Sequence, residues 1–181
     1  MSYTKIFGFN KNGDAYSIGE IRNAFRGAMA VWTIIEKKYL PPWKPLWAMT
    51  IESDYSRVSD MSGESMEEIW SLFKSDKVTE IDRIVLGSTF DNVVVMKKDI
   101  PKLLECFRAF EGETSLKEQA DLIENHLIDN DPEAVAWCQT SICGDHWGNY
   151  GGQDEDDESI PYNLNTGDRH WDLFESVEKN G

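Results

Sequence analysis

The chain has 181 residues, 40% hydrophobic and 12% aromatic, with 18 Lys/Arg against 33 Asp/Glu for a net charge of −15. That apolar content excludes a globally disordered chain and suffices for the core of one domain. The negative balance argues against direct binding to nucleic acid phosphates or anionic membranes.

The charge is unevenly spread. Residues 1–50 carry seven Lys/Arg and three Asp/Glu, whereas residues 51–181 carry eleven against thirty. From Glu118 to Asp168 there are thirteen acids and no Lys or Arg. A surface of this kind attracts a basic protein face or a cation, and also keeps a protein soluble. The opening MSYTKIFGFNKNGD has no charged-then-apolar signal pattern. No apolar run approaches the roughly 20 residues a membrane span needs, so a soluble, cytoplasmic protein is expected. Cys106, Cys138 and Cys143 are odd in number and irregular in spacing, which suits reduced thiols better than a disulfide framework.

In chain order, KIFGF, NKNG and DAYS read as a hairpin, with Asn12-Gly13 at its turn. A calcium loop centred on Gly13 fails, because its first and twelfth positions would be Gly8 and Gly19. Ser17 and Glu20 have capping-box spacing. Behind them Ile18, Ile21, Phe25, Ala28, Trp32, Ile35 and Tyr39 recur at helical intervals, predicting a helix of about six turns that ends before Pro41. Arg22, Arg26, Lys37 and Lys38 would give it a basic face. PPWKPLW is stiffened by three prolines. Its Pro42-x-x-Pro45 spacing formally matches a polyproline ligand but reads better as a rigid crossing with Trp43 and Trp47 packed down.

WAMTIES then predicts a strand, and Ser65 with Glu68 a short helix over MEEIWSLFK. IDRIVLGSTF and NVVVMKK are β-branched runs that predict paired strands. Asp99 and Pro101 open a helix over IPKLLECFRAF, with Cys106 on its core face and Gly112 beyond its end. Ser115 and Glu118 open another over LKEQADLIENHLID. Residues 132–142 combine a helix-start signal, DPEA, with the strand formers of VAWCQTSI; helix is the expectation. After Gly144 a loop runs to a closing helix at HWDLFESVEK. Strands do not alternate regularly with helices. The predicted class is therefore α+β, a small, mostly antiparallel sheet packed by several helices in a single domain over 1–181, with an acidic loop at about 151–160.

Chemistry-bearing residues crowd the last third. Cys138, Cys143 and His146 have the spacing C-x4-C-x2-H, but a zinc site needs a fourth ligand, with only His170 or Asp172 to hand. Neither zinc nor any other cofactor is expected. DHW at 145–147 and RHWD at 169–172 each set a histidine near an aspartate, the minimum for general base work. No nucleophile elbow, zincin helix, P-loop or dinucleotide fingerprint accompanies them. DEDDES, residues 154–159, should repel itself into an extended, mobile loop.

Aromatic residues interleaved with acids suit a protein-binding surface, where rings supply desolvated area and charges supply steering. The expected contact residues are Asp145, Trp147, Tyr150, Asp154, Glu155, Asp156, Asp157, Glu158 and Trp171. The expected function is that of a non-enzymatic acidic protein that engages and blocks a basic protein, such as a nuclease. Small acidic proteins of this size and charge include nuclease immunity proteins and phage-encoded inhibitors of host defence nucleases, some of which mimic DNA. The likeness is one of composition and size, and no family motif carries it. The alternatives are a small hydrolase or nuclease, with or without a metal, using His146, His170, Asp145 and Asp172, and a structural or assembly protein.

Overall fold

The computed structural model describes residues 3–22, 28–41, 43–45, 57–59, 63–139, 146–149 and 151–180. The class is α+β as expected. β1 (Tyr3–Phe9) and β2 (Ala15–Arg22) form the opening antiparallel hairpin. Its turn is organised by Asn10, whose side-chain oxygen accepts the backbone N–H of Asn12 and of Asp14 at 2.8 and 3.0 Å. Helix α1 spans Ala28–Tyr39, and the short strands β3 (Trp43–Pro45) and β4 (Arg57–Ser59) pair in parallel. Helices α2 (Gly63–Leu72) and α3 (Glu80–Gly87) precede β5 (Val93–Met96). Then come α4 (Ile100–Ala109), α5 (Leu116–Asp129) and β6 (Ala134–Gln139). The one-turn helix α6 (His146–Asn149), β7 (Trp171–Asp172) and α7 (Leu173–Asn180) complete the described chain. The main sheet has the order β2-β1-β6-β5-β7, antiparallel except for the β5–β7 edge pair.

Three expectations are corrected. Residues 18–22 belong to β2, not to a long helix, so Ser17 and Glu20 form no capping box. Pairing with β1 wins over the helical spacing: Ile21 is buried while Ser17 and Glu20 point outward. Gly19 fits a closely covered strand, since a Cβ there would sit 2.9 Å from Leu122 of α5. The supposed basic face dissolves with the helix. Arg22 lies on a strand, Lys38 pairs with buried Asp82 of α3 at 2.5 Å, and Arg26 lies outside the described residues.

Second, IDRIVLG is α3, not a strand. The Thr79 side chain accepts the Asp82 N–H at 3.2 Å, and Glu80 and Asp82 sit in the positively polarised first turn. The β-branched run reflects burial on nearly all sides rather than a sheet. Third, residues 134–139 are strand β6, not helix. The strand expected over WAMTIES, with Trp47, lies outside the described residues apart from its flanks.

Side chains alternate cleanly through the central strands. Ile6, Val93, Val95, Val135 and Trp137 pack with the helices in one core. Phe7, Phe9, Val94, Ala134, Ala136 and Cys138 face the other way into a second core. A sheet covered on both faces has near-continuous apolar strands, which explains VVVM and AVAWC. Helix α4 supplies Leu103, Cys106 and Phe107 to the first core, and burial pushes the Cys106 thiol up to about 11. Asp99 stands at the start of α4 but makes no side-chain cap hydrogen bond, and burial raises its carboxyl above the usual range.

The second core is roofed by Trp147 of α6 with Tyr162 and Leu164. The Trp147 ring is 0% exposed and meets Phe9 and Tyr162 edge-on at centroid distances of 5.6 and 5.2 Å. Its indole N–H donates to the Trp137 carbonyl at 2.8 Å. The small Ala15, Ala134 and Ala136 side chains belong to the same cluster. Trp147 is therefore not the exposed anchor that its acidic neighbours suggested. Trp147→Ala is expected to destabilise the fold by about 3–5 kcal/mol, the usual cost of emptying a buried aromatic site. Trp70→Ala, at a side chain 43% exposed, should cost less than about 1 kcal/mol. Urea unfolding of the two variants checks both figures.

Candidate functional site

The acidic segment is built, not loose. Gln153 and Ser159 form an antiparallel bridge, flanked by Gly151 N–H to Ile160 carbonyl at 2.8 Å and Ile160 N–H to Gly152 carbonyl at 2.9 Å. At the tip, the Asp154 N–H reaches the Glu158 carbonyl at 3.0 Å. The Asp154 carboxylate accepts the N–H groups of Asp156 and Glu158, both at 2.9 Å. Asp157 takes a positive φ of 61°, a conformation that short polar side chains tolerate. A Cβ on Gly151 would fall 2.3 Å from the Pro161 carbonyl oxygen, so the root of this finger needs glycine. The expected mobile loop is thus a hydrogen-bonded turn in which backbone closure offsets like-charge repulsion.

Residues 151–161 are all exposed. None of the carboxylates of Asp154, Glu155, Asp156, Asp157 and Glu158 has a Lys or Arg partner among the described residues. Elsewhere acids and bases meet: Arg108 holds Asp121 and Glu124 at 3.0 and 2.7 Å, and Lys97 holds Asp131 at 2.6 Å. The finger is anchored through the second core, where the Tyr162 N–H donates to the Trp147 carbonyl at 2.8 Å.

Asp145 and Tyr150, with Cys143, lie outside the described residues. Trp171 is half-buried and packs against the helix-side core, with its indole N–H on the Asp91 carbonyl at 2.8 Å. Among the described residues, no three His, Cys, Asp or Glu side chains are grouped to hold a metal ion. Cys138 is buried in the second core.

His170 and Asp172 do share a cleft of about 410 Å³, with Val94, Met96, Glu175 and Lys179 in its walls. They do not form the expected His–Asp couple. The Asp172 carboxylate accepts the N–H groups of Phe174 and Glu175 at 2.8 and 3.2 Å, so it is spent on the start of α7. His170 Nδ1 instead meets the Tyr162 hydroxyl at 2.8 Å. That hydroxyl oxygen also accepts the Arg169 N–H at 3.0 Å.

A larger cleft of about 500 Å³ lies among Trp32, Trp70, Phe73, Phe90 and Trp171. Sequence reasoning missed it, because its rings come from segments far apart in the chain.

Burial lowers the His170 pKa below its ordinary value, outweighing Asp172 and Asp168, which raise it. His126, bonded to the Tyr16 hydroxyl at 3.0 Å, is lowered by burial as well. A histidine with a lowered folded pKa binds fewer protons folded than unfolded. Stability is therefore intact above about pH 6.5 and declines as pH falls from there toward the folded pKa. Urea midpoints should fall between pH 7.5 and 5.5, with a shallower slope in His170→Gln, and the His170 ring should titrate below 6.5 by NMR.

No protein-family model, curated protein or solved structure matches this chain, and no helix among the described residues is long and apolar enough to cross a membrane.

Proposed function

We propose that this protein binds a basic protein through the acidic finger at residues 151–161 and blocks it. The observation that carries the reading is the finger itself: five consecutive carboxylates without a cationic partner among the described residues, on a turn closed by its own hydrogen bonds. A preformed turn lowers the ordering cost of association. The field of a net −15 chain speeds encounter with a cationic partner and resists phosphate backbones. A nuclease or nucleic-acid-binding effector presents the kind of basic face that fits, and the carboxylates would stand where phosphates otherwise lie.

The hydrolase reading loses support from the engagement of Asp172 and of His170 Nδ1 described above. A structural role would use the same finger toward a neighbour in an assembly, and sizing the protein with and without its captured partner separates the two.

The test exchanges Asp154, Glu155, Asp156, Asp157 and Glu158 for Asn or Ser, with Asn at 154 so that the turn keeps its acceptor. Stability should change by no more than about 0.5 kcal/mol. In pull-downs from the native host at about 50 and 300 mM salt, the wild type should retain a basic protein at the lower salt and the variant should not. With the captured protein purified, association should be slower in the variant and less dependent on salt. Equal capture and equal salt slopes would reduce the finger to solvated surface. Filter binding at about 150 mM salt should show no micromolar affinity for DNA or RNA, the range in which nonspecific binders sit.

A further inference from the structure

The geometry points to a second binding site, for a planar aromatic acid, in the ring-lined cleft at the meeting of α1, α2, α7 and the turn between α3 and β5. The site is independent of the acidic finger and goes beyond the partner-binding reading.

The cleft of about 500 Å³ falls within the range of small-molecule sites, and its lining is mostly aromatic. Trp32 and Phe73 are buried, Phe90 and Trp171 are half-buried, and Trp70 is exposed. The rings brace one another edge-on: Phe73 lies 5.5 Å from Phe90 and 6.0 Å from Trp171, and Trp70 lies 6.4 Å from Phe90. Two indoles are pinned to the turn at 89–92. Trp32 donates to the Thr89 hydroxyl at 2.8 Å and Trp171 to the Asp91 carbonyl at 2.8 Å. The walls are thus held before any ligand arrives, which removes part of the ordering cost of binding. Flat apolar ligands suit such walls, since aromatic pairs favour edge-on and offset contact.

The polar groups select the ligand's charge. Lys74, Trp70 and Ser176 line the cleft, and the Lys74 ammonium, the Trp70 indole N–H and the Ser176 hydroxyl have no protein partner among the described residues. Asp91 in the lining is not without interactions of its own, and its backbone carbonyl holds the Trp171 indole. Unengaged donors, one of them cationic, call for an acceptor with negative charge. A ring bearing a carboxylate satisfies both the walls and the donors, whereas an aromatic ammonium would face Lys74. The overall negative charge opposes an anion, but exposed charges beyond about 8 Å are largely screened at physiological salt, and the ammonium in the lining acts at contact.

The test uses three probes that share one ring: indole-3-acetate, indole and tryptamine, which are anionic, neutral and cationic at pH 7. Calorimetric or saturation-transfer titration of the full chain at about 150 mM salt should rank them in that order, with indole-3-acetate about tenfold tighter than tryptamine. Lys74→Met should bring indole-3-acetate to the affinity of indole and leave indole unchanged. Trp70→Ala should weaken all three. Both side chains are exposed, so each variant should fold, which circular dichroism checks. No binding of any probe at millimolar concentration, tryptamine as the tightest probe, or an unchanged order in Lys74→Met would each overturn the assignment. None of these outcomes touches the finger, whose test reads a different partner on different residues.

Discussion

The structure depends on closing the second face of a sheet that is apolar on both sides. The helices cover Ile6, Val93, Val95, Val135 and Trp137, but Phe7, Phe9, Val94, Ala134 and Ala136 need a separate roof. Trp147 provides its centre. The ring fills space among small side chains, and its N–H finds the Trp137 carbonyl at 2.8 Å, so a large amphipathic side chain is buried without an orphaned donor. Burial of that ring fixes the chain that follows it, because the Trp147 carbonyl accepts the N–H of Tyr162. Tyr162 in turn takes part in holding His170 and the Arg169 backbone.

The exposed finger is a consequence of this roof. Residues 151–160 leave the second core after α6 and return to it at Tyr162. Both ends are held, so the intervening acids project as a closed turn whose shape does not rely on their charges. Carboxylates can then be exchanged there with little effect on folding, while any change at Trp147 loosens the roof and the finger together. Surface charge and stability are separable on this segment only by choosing residues on the correct side of that boundary.

The hairpin at Asn12-Gly13, the helices α2, α4, α5 and α7, and the α+β class were legible because periodicity, caps and turn residues agreed. The failures share one cause: burial on more than one side erases the pattern that separates helix from strand. Strand β6 carries AVAWC because both its faces are covered, and α3 carries IVL because it is buried nearly all round. The alternation of small and large residues in Ala134-Val135-Ala136-Trp137 was the available sign of two unequal faces, one of them leaving room for a ring. Residues 18–22 misled differently: a helical spacing continued by accident from β2 toward α1, and Gly19 was the sign against it. The ring-lined cleft had no local sign at all, since Trp32, Trp70, Phe90 and Trp171 meet only through the fold.

Sequence proximity also differs from spatial proximity for the aromatic residues. Trp147 and Trp171 stand among acids along the chain, yet one roofs the second core and the other packs with the helix-side core. Charge and ring area therefore separate in space. The finger offers carboxylates with Ile160, 40% exposed, as its large apolar neighbour. The cleft offers rings with an ammonium that has no partner among the described residues. Encounter driven by charge and capture driven by aromatic contact have different dependences on salt, weakening and nearly constant respectively. A molecule that places them on different cores can use each without the other.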